Sequence, residues 1–284
     1  EPNMFNNLYP PSGGYYPNGG VLNNITDRLL WQDPDTLELH PWIAEEMPKA
    51  NKDNTEFTFK IRKGVTYSDG SRLDAANVKK NYDLYALGDE DRMLTPSEQL
   101  PNYEKSEVID DYTVKFYFSE PSPGFPQSTS VMNQGLLSNA TLDLDDTGFA
   151  PGNATAISGS GPFVIEEEEL GTKLVLKKRE AFRAAFCNFD PDKVAQFGEA
   201  DVERLLGDAS IIRNETKIRA AINNAKATIA LREEGGLAEF IWAYQPPENL
   251  YPTVMEDIPK KSYESKLMSR ELKKKGFRFV GPVT

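Results

Sequence analysis

The sequence predicts an α/β region followed by an all-helical one, with the change near residue 176. Three observations carry this prediction. Residues 1–170 hold 12 Lys+Arg against 28 Asp+Glu, whereas residues 171–284 hold 20 against 16, so the parts carry net charges of −16 and +4. The first part is rich in Pro, Gly, Asn and Tyr, with short alternating apolar runs that read as strands. The second part has longer stretches of Ala, Leu, Lys, Arg and Glu with apolar residues at helical spacing.

Residues 1–20 carry Pro10, Pro11, Gly13, Gly14, Pro17, Gly19 and Gly20 and read as an irregular loop. Val21 to Leu30 can form a short helix, and residues 31–35 a turn. Pro41 to Met47 reads as a short helical turn, because Pro41 suits a first helical position. From Glu56 to Arg62, apolar Phe57, Phe59 and Ile61 alternate with polar residues, the pattern of a half-buried strand. Asp74 can cap a helix from Ala75 to about Leu87. Glu107 to Ile109 and Thr113 to Phe118 read as strands paired around Asp110-Asp111. Pro162 to Glu167 and Thr172 to Leu176 read as a second hairpin around Leu170-Gly171.

The remainder is helical text. Phe182, Phe186 and Phe189 fall at i, i+4 and i+7, one face of a helix, with Cys187 mid-helix as a buried small residue. Asp190-Pro191 starts another helix. Val202 to Leu206 and Lys217 to Leu231 are amphipathic, and Gly235-Gly236 breaks the latter. Ser269 to Lys275 ends a further helix, stopped by Gly276.

Composition excludes several classes. Fifteen Phe, twelve Tyr and three Trp are too many for a chain that never packs. One cysteine excludes an internal disulfide and a Cys-rich zinc site, and one histidine, His40, excludes a multi-His metal site. No apolar run approaches the ~20 residues of a membrane-spanning helix. The opening Glu1-Pro2-Asn3 shows no basic-then-apolar leader, from which a targeting segment is expected to be removed or never present. Glu166 to Glu169 could form a cation site; a solvated strand end is the expected reading.

The stretch from Ile25 to Met47 resembles the opening of extracytoplasmic solute-binding proteins of the oligopeptide, dipeptide and nickel class, which serve ABC importers. The resemblance continues through Phe57-Thr-Phe-Lys-Ile-Arg-Lys-Gly-Val-Thr-Tyr-Ser-Asp-Gly70, Leu73-Asp-Ala-Ala-Asn-Val-Lys-Lys-Asn81 and Gly159-Ser-Gly-Pro-Phe163. It covers about residues 1–176 and implies a mixed-sheet partial lobe of the periplasmic-binding-protein fold. It also implies capture of a peptide-like solute outside the cytoplasm and delivery to an ABC permease, without chemistry or cofactor. Tyr15, Tyr16 and Trp31 are the candidate aromatic wall of the solute site, with ordinary packing as the competing reading; Phe163 is expected in the core.

From about residue 176 the text resembles a different family, the constitutive bacterial DNA 3-methyladenine glycosylases. The matching strings are Leu176 to Phe186, Asp201-Val-Glu-Arg-Leu-Leu206, Ile211-Ile-Arg-Asn214, Lys217-Ile-Arg-Ala-Ala-Ile-Asn-Asn-Ala225, Phe240-Ile-Trp242 and Gly276-Phe-Arg-Phe-Val-Gly281. The resemblance implies an all-helical segment of helix-hairpin-helix type, cytoplasmic, that binds duplex DNA. Gly276 to Gly281 resembles the hairpin turn whose backbone amides hold a phosphate, making Lys275, Gly276, Arg278 and Gly281 candidate DNA contacts; a solvated basic helix end is the alternative.

The family's pocket Glu and base-stacking aromatics lie upstream of the matched region, where this chain carries solute-binding text. Its zinc ligands are two Cys and two His, and this chain has no His after His40. No catalytic residue and no metal ligand is therefore assigned. Asp201 and Glu203 are read as helix-start carboxylates. Both families pass through text like Leu174 to Glu180, so strand is expected to about Leu176 and helix from about Lys178. The expected organisation is a partial solute-binding lobe, 1–176, and a helical glycosylase-like fragment, 177–284. The leading functional expectation is a truncated, non-catalytic solute-binding component. A DNA-binding glycosylase remnant and an artificial chimeric scaffold without activity are the alternatives.

Overall fold

The computed structural model describes residues 6–12, 16–33, 36–208, 211, 214–245 and 262–281, residues 16 and 17 by their backbone only. The chain divides into two compact units, Glu1–Phe182 with Ala209–Ile212, and Arg183–Asp208 with Arg213–Thr284.

The first unit is built on a four-stranded sheet in the order β3-β4-β6-β5. The strands are β3 (Lys49–Ala50), β4 (Glu56–Lys60), β5 (Tyr103–Asp110) and β6 (Thr113–Phe118). Phe57 and Phe59 of β4 and Val114, Phe116 and Phe118 of β6 are buried on one face, as their alternation predicts. Phe125, in the short helix Phe125–Ser128, sits 4.7–5.9 Å from the rings of Phe57, Phe59, Phe116 and Phe118. A long helix (Ala75–Leu87) crosses this face and buries Val78, Tyr82, Leu84 and Tyr85. Asp74 caps it by accepting from the Asn77 amide, and Gly88 ends it at φ 70°. The mixed sheet implied by the resemblance is corrected in one respect: every described ladder is antiparallel. The two-residue link Asp111-Tyr112 returns β6 directly alongside β5, which only an antiparallel pair allows.

Two hairpins complete the unit. One pairs β1 (Leu30–Gln32) with β2 (Leu39–Pro41), and the other pairs β7 (Phe163–Glu169) with β8 (Lys173–Lys178). Three local expectations need correction. The first helix spans Tyr16–Ile25 rather than 21–30. Its end is closed by the Thr26 hydroxyl donating to the Leu22 carbonyl, and Leu30 goes to β1. Residues 16–20, expected as loop, are helical, and Gly19 fits closely against Met132, where a Cβ would lie 2.4 Å from the sulfur. Pro41 to Met47 is not a helical turn: Trp42 and Ala44 donate to the Leu29 carbonyl, and Ala44 bridges to Ile61, so tertiary pairing takes these backbone groups.

The second unit is helical, with Pro191–Val194, Glu199–Gly207, Glu215–Ala230, Gly236–Trp242 and Tyr263–Lys274 as its elements. The central helix 215–230 packs on the two before it. Its far end meets the last helix through a small core of Ala227, Leu231, Leu272 and Phe277. Strand β8 runs to Lys178 and helix Glu180–Ala185 follows, close to the expected switch. Cys187 is not mid-helix. Cys187, Asn188 and Phe189 adopt φ of 49°, 59° and 57°, a left-handed kink before the Asp190 cap of the next helix. Phe186 and Phe189 still stack, at 5.2 Å, across that kink. Among the described residues no helix is long and apolar enough to cross a membrane.

Candidate functional sites

The aromatic hairpin. Trp31 lies opposite His40 in the β1–β2 ladder, with ring centroids 5.5 Å apart, and its ring is 6.3 Å from that of Trp42. Trp31 and His40 are half-buried and Trp42 is buried. Trp42 is fixed from both ends, its indole N–H donating to Asp27 Oδ1 (3.0 Å) and its carbonyl accepting from Arg62 Nε (2.6 Å). Burial holds the Arg28 guanidinium below its ordinary pKa, against the opposing pull of Asp27. The arrangement offers an aromatic platform with two partly exposed rings, those of Trp31 and His40. Tyr15 lies outside the described residues. Tyr16 begins the first helix, and its side chain also lies outside them.

The glycine motif at 159–161 serves packing. A Cβ on Gly159 would lie 1.9 Å from the Ile25 carbonyl oxygen, and one on Gly161 2.6 Å from the Ile25 carbonyl carbon. The Gly161 amide donates to that same Ile25 oxygen at 2.9 Å. Phe163 is half-buried and packs against the main core. Glu166 and Glu167 pair with Lys177 and Lys173, while Glu168 accepts from the amides of Gly152 and Ala154. Among the described residues no three His, Cys, Asp or Glu side chains gather as a metal group.

Two polar networks were not found by sequence reasoning. Asn77 and Asn81, buried on the long helix, both donate to the Leu137 carbonyl, and Asn81 Oδ1 accepts the Leu137 amide. The signal was two Asn at i and i+4 on a helix's apolar face. Arg179 donates from Nη1 and Nη2 to the carbonyls of Thr66, Ser160 and Tyr67, at 2.9–3.0 Å. Nothing in the run Lys177-Lys178-Arg179 marks it as different from its neighbours.

The turn after the last helix. Lys275 Nζ is held by the Glu234 carboxylate, at 2.5 and 2.7 Å. Gly276 adopts φ 87°, a conformation that favours glycine, and ends the helix. The expectation that the amides of this turn hold a phosphate is corrected for its first half. The Gly276 amide donates to the Lys273 carbonyl, the Phe277 amide to Leu272, and the Arg278 amide to Asn224 Oδ1. The Arg278 side chain is exposed and has no acidic partner among the described residues. Gly281 closes the described part of the turn and is half-buried. Asp201 accepts from the Gly198 amide (3.1 Å) and from Arg204 (3.2 Å), consistent with a helix-start role.

A family model described as methyladenine glycosylase matches residues 165–284. Over 110 residues the chain is 46% identical to DNA-3-methyladenine glycosylase 1 of Escherichia coli K12, covering 38% of this chain and 59% of that protein. Over 212 residues it is 28% identical to the probable D,D-dipeptide-binding periplasmic protein DdpA of the same organism, covering 64% of this chain and 39% of that one. Listeria monocytogenes OppA bound to peptide shares the fold over 63% of this chain and 38% of its own, with a TM-score of 0.55 and 18% identity. The chain thus spans about three fifths of that glycosylase and about two fifths of that dipeptide-binding protein. In its similarities the chain is a chimera: its first part is similar to solute-binding proteins of ABC transporters and its second to bacterial methyladenine glycosylases.

Proposed function

We propose that the first part of the chain, about residues 1–176, is a lobe of an extracytoplasmic, non-catalytic solute-binding component of an ABC importer. Its ligand would be peptide-like, and its partner a permease. The observation that carries the reading is the Trp31–His40–Trp42 platform on a lobe whose fold is shared with a peptide-bound protein. Trp31 is the proposed solute contact, and Tyr15 and Tyr16, upstream in sequence, are proposed to join it. The test is thermal melting of the full chain with a panel of di- to pentapeptides. A peptide that binds the folded state raises the melting temperature by mass action. Trp31→Ala should abolish the rise. A panel without any shift would remove the solute-binding reading.

A second reading is favoured by the exposed, acid-free guanidinium of Arg278. The second part, about residues 177–284, would be a cytoplasmic-type duplex-DNA-binding fragment of helix-hairpin-helix glycosylase kind, contacting DNA around Lys275, Gly276, Arg278 and Gly281. Release of 3-methyladenine from alkylated DNA is expected to be at background, because no catalytic acid and no zinc ligand is assigned in these residues. The net charge of −12 opposes strong binding, and the salt dependence of any affinity should report the few phosphate contacts that Lys and Arg make. If neither peptide nor duplex binds while melting stays cooperative, the third reading, a scaffold without native activity, gains support.

A further inference from the structure

In the first unit β5 is the last strand of the four-stranded sheet, and its outer side is open among the described residues. The ladder fixes which of its groups face outward. The Phe118 amide donates to the Thr55 carbonyl and the Ile61 amide to the Tyr112 carbonyl, at 2.9 and 2.7 Å. Val114, Phe116 and Phe118 therefore turn their backbone groups to β4. Thr113, Lys115 and Tyr117 serve β5, through Asp110, Glu107 and Lys105. The amides and carbonyls of Ser106 and Val108 are left pointing away from the sheet. Irregularities at Glu104 and Ile109 bound this straight stretch. Ser106 Oγ donates to Asp83 Oδ1 at 2.7 Å and fixes the strand against the helix Ala75–Leu87. Between that helix and β5 runs a groove of about 600 Å³, with Ala76, Leu84, Leu87 and Val108 as its apolar lining. Leu87 is 63% and Val108 42% exposed. The cations of the groove and strand are already matched: Lys79 bonds Asp83, Lys80 bonds Asp143 and Lys105 bonds Glu107. Glu104 and Asp110, at the two ends of the strand, form no salt bridge among the described residues, although paired Lys105 lies next to Glu104 and Lys63 acts on Asp110.

We infer that this edge and groove bind an extended, cationic peptide, which adds to β5 as a further strand. The outward groups of Ser106 and Val108 supply the main-chain bonds. Alternate side chains of the incoming strand lie over Leu84 and Leu87, and its basic residues meet Glu104 and Asp110. A second copy of the chain is the poorer occupant, because it would set one acidic edge against another. Trp31 has no part in this site, so the inference goes beyond the solute reading and does not depend on it.

Binding of a fluorescein-labelled octapeptide that alternates valine with lysine is followed by anisotropy with the full chain, beside a counterpart with glutamate for lysine. Val108→Pro removes the outward amide without touching a bond to β6, as an edge strand allows, and Val108→Thr keeps that amide. Leu87→Asp changes the groove at an exposed position. Affinity for the lysine peptide should fall about tenfold or more in Val108→Pro and in Leu87→Asp, stay within about twofold in Val108→Thr, and exceed that for the glutamate peptide by about tenfold. Should Val108→Pro fail to fold, Leu87→Asp decides. No binding of the lysine peptide, binding that survives both variants, or equal binding of the two peptides overturns the inference. So does a dimer in sedimentation equilibrium that Val108→Pro dissolves, which would give the edge to a second copy. Trp31→Ala should leave the binding intact, and a loss there would assign the peptide to the aromatic platform and overturn the edge site. Intact binding in Trp31→Ala, with no melting shift from the short peptides, supports the edge site and removes the solute reading.

Discussion

Asn224 holds the backbone of Arg278 by both of its polar groups, the side-chain oxygen accepting the amide at 2.8 Å and the side-chain nitrogen donating to the carbonyl at 3.0 Å. One amide side chain on a helix thereby does what a neighbouring strand would do for an extended residue. It ties residues 54 positions apart and seats Phe277 into the small core with Leu231 and Leu272. Asn224→Ala removes both bonds, and about 1–2 kcal/mol of stability should be lost from this unit. Asn224→Asp keeps the acceptor for the Arg278 amide but sets a carboxylate oxygen against the Arg278 carbonyl, so it should not restore the parent stability. Urea titration followed by far-ultraviolet circular dichroism measures both.

The Gly159 position tests close packing against backbone conformation. Gly159→Ala puts a Cβ 1.9 Å from the Ile25 carbonyl, where backbone must move, and should cost about 3 kcal/mol or more. Gly171→Ala meets open space but needs φ 70°, and should cost about 1 kcal/mol. Comparable melting temperatures for the two variants would show that the Gly159–Ile25 approach is looser than described.

Arg179 binds the three carbonyls of Thr66, Tyr67 and Ser160 at once. Arg179→Ala should destabilise the first unit by about 2–4 kcal/mol through the acceptors it leaves. Arg179→Lys should recover little, because an ammonium is a point donor and cannot span the fork's positions. Denaturant midpoints of the two variants decide this.

Acid sensitivity of the second unit follows from its arginine pairs. Hydrogen bonds from Arg219 and Arg232 hold the carboxyls of Glu199 and Asp192 below the usual carboxylate range. A depressed folded value means that the stabilisation is complete above the unfolded pKa and is lost as pH falls through the folded one. The pairs' contribution to the melting temperature should therefore be constant above about pH 5 and be lost below about pH 4. Arg232→Gln should lower it at neutral pH and narrow its difference from the parent as the solution is acidified. A difference that grows on acidification would refute the assignment.

Much of the core was legible. Phe57, Phe59 and Ile61 were marked by alternation and are buried, and Asp74 caps the helix it precedes. The pairings of β5 with β6 and of β7 with β8 were found because turn residues punctuate them, whereas that of β1 with β2 was not. The failures have a common cause. At Pro41–Met47 a local helix signal lost to hydrogen bonds donated to the Leu29 carbonyl and to the bridge with Ile61, distant partners that propensity does not register. At Cys187 a periodic Phe pattern suggested a continuous helix, while Asp190-Pro191 imposed a new start three residues on. The candidate sites were legible as residue types only: Trp31 was marked as aromatic, not as the ring neighbour of His40, and Arg278 as basic, not as tied to Asn224.

By itself the sequence determined the two textures, the charge division, the caps, the strand alternation and the pair of family likenesses, because all of these are written in short windows. Tertiary structure alone decided which polar groups became partners. Asn81 found Leu137, Arg179 found Thr66 and Ser160, and Asn224 found Arg278. Those choices depend on which backbone groups the packed chain leaves unpaired, and an unpaired buried amide or carbonyl exists only once the elements around it have docked.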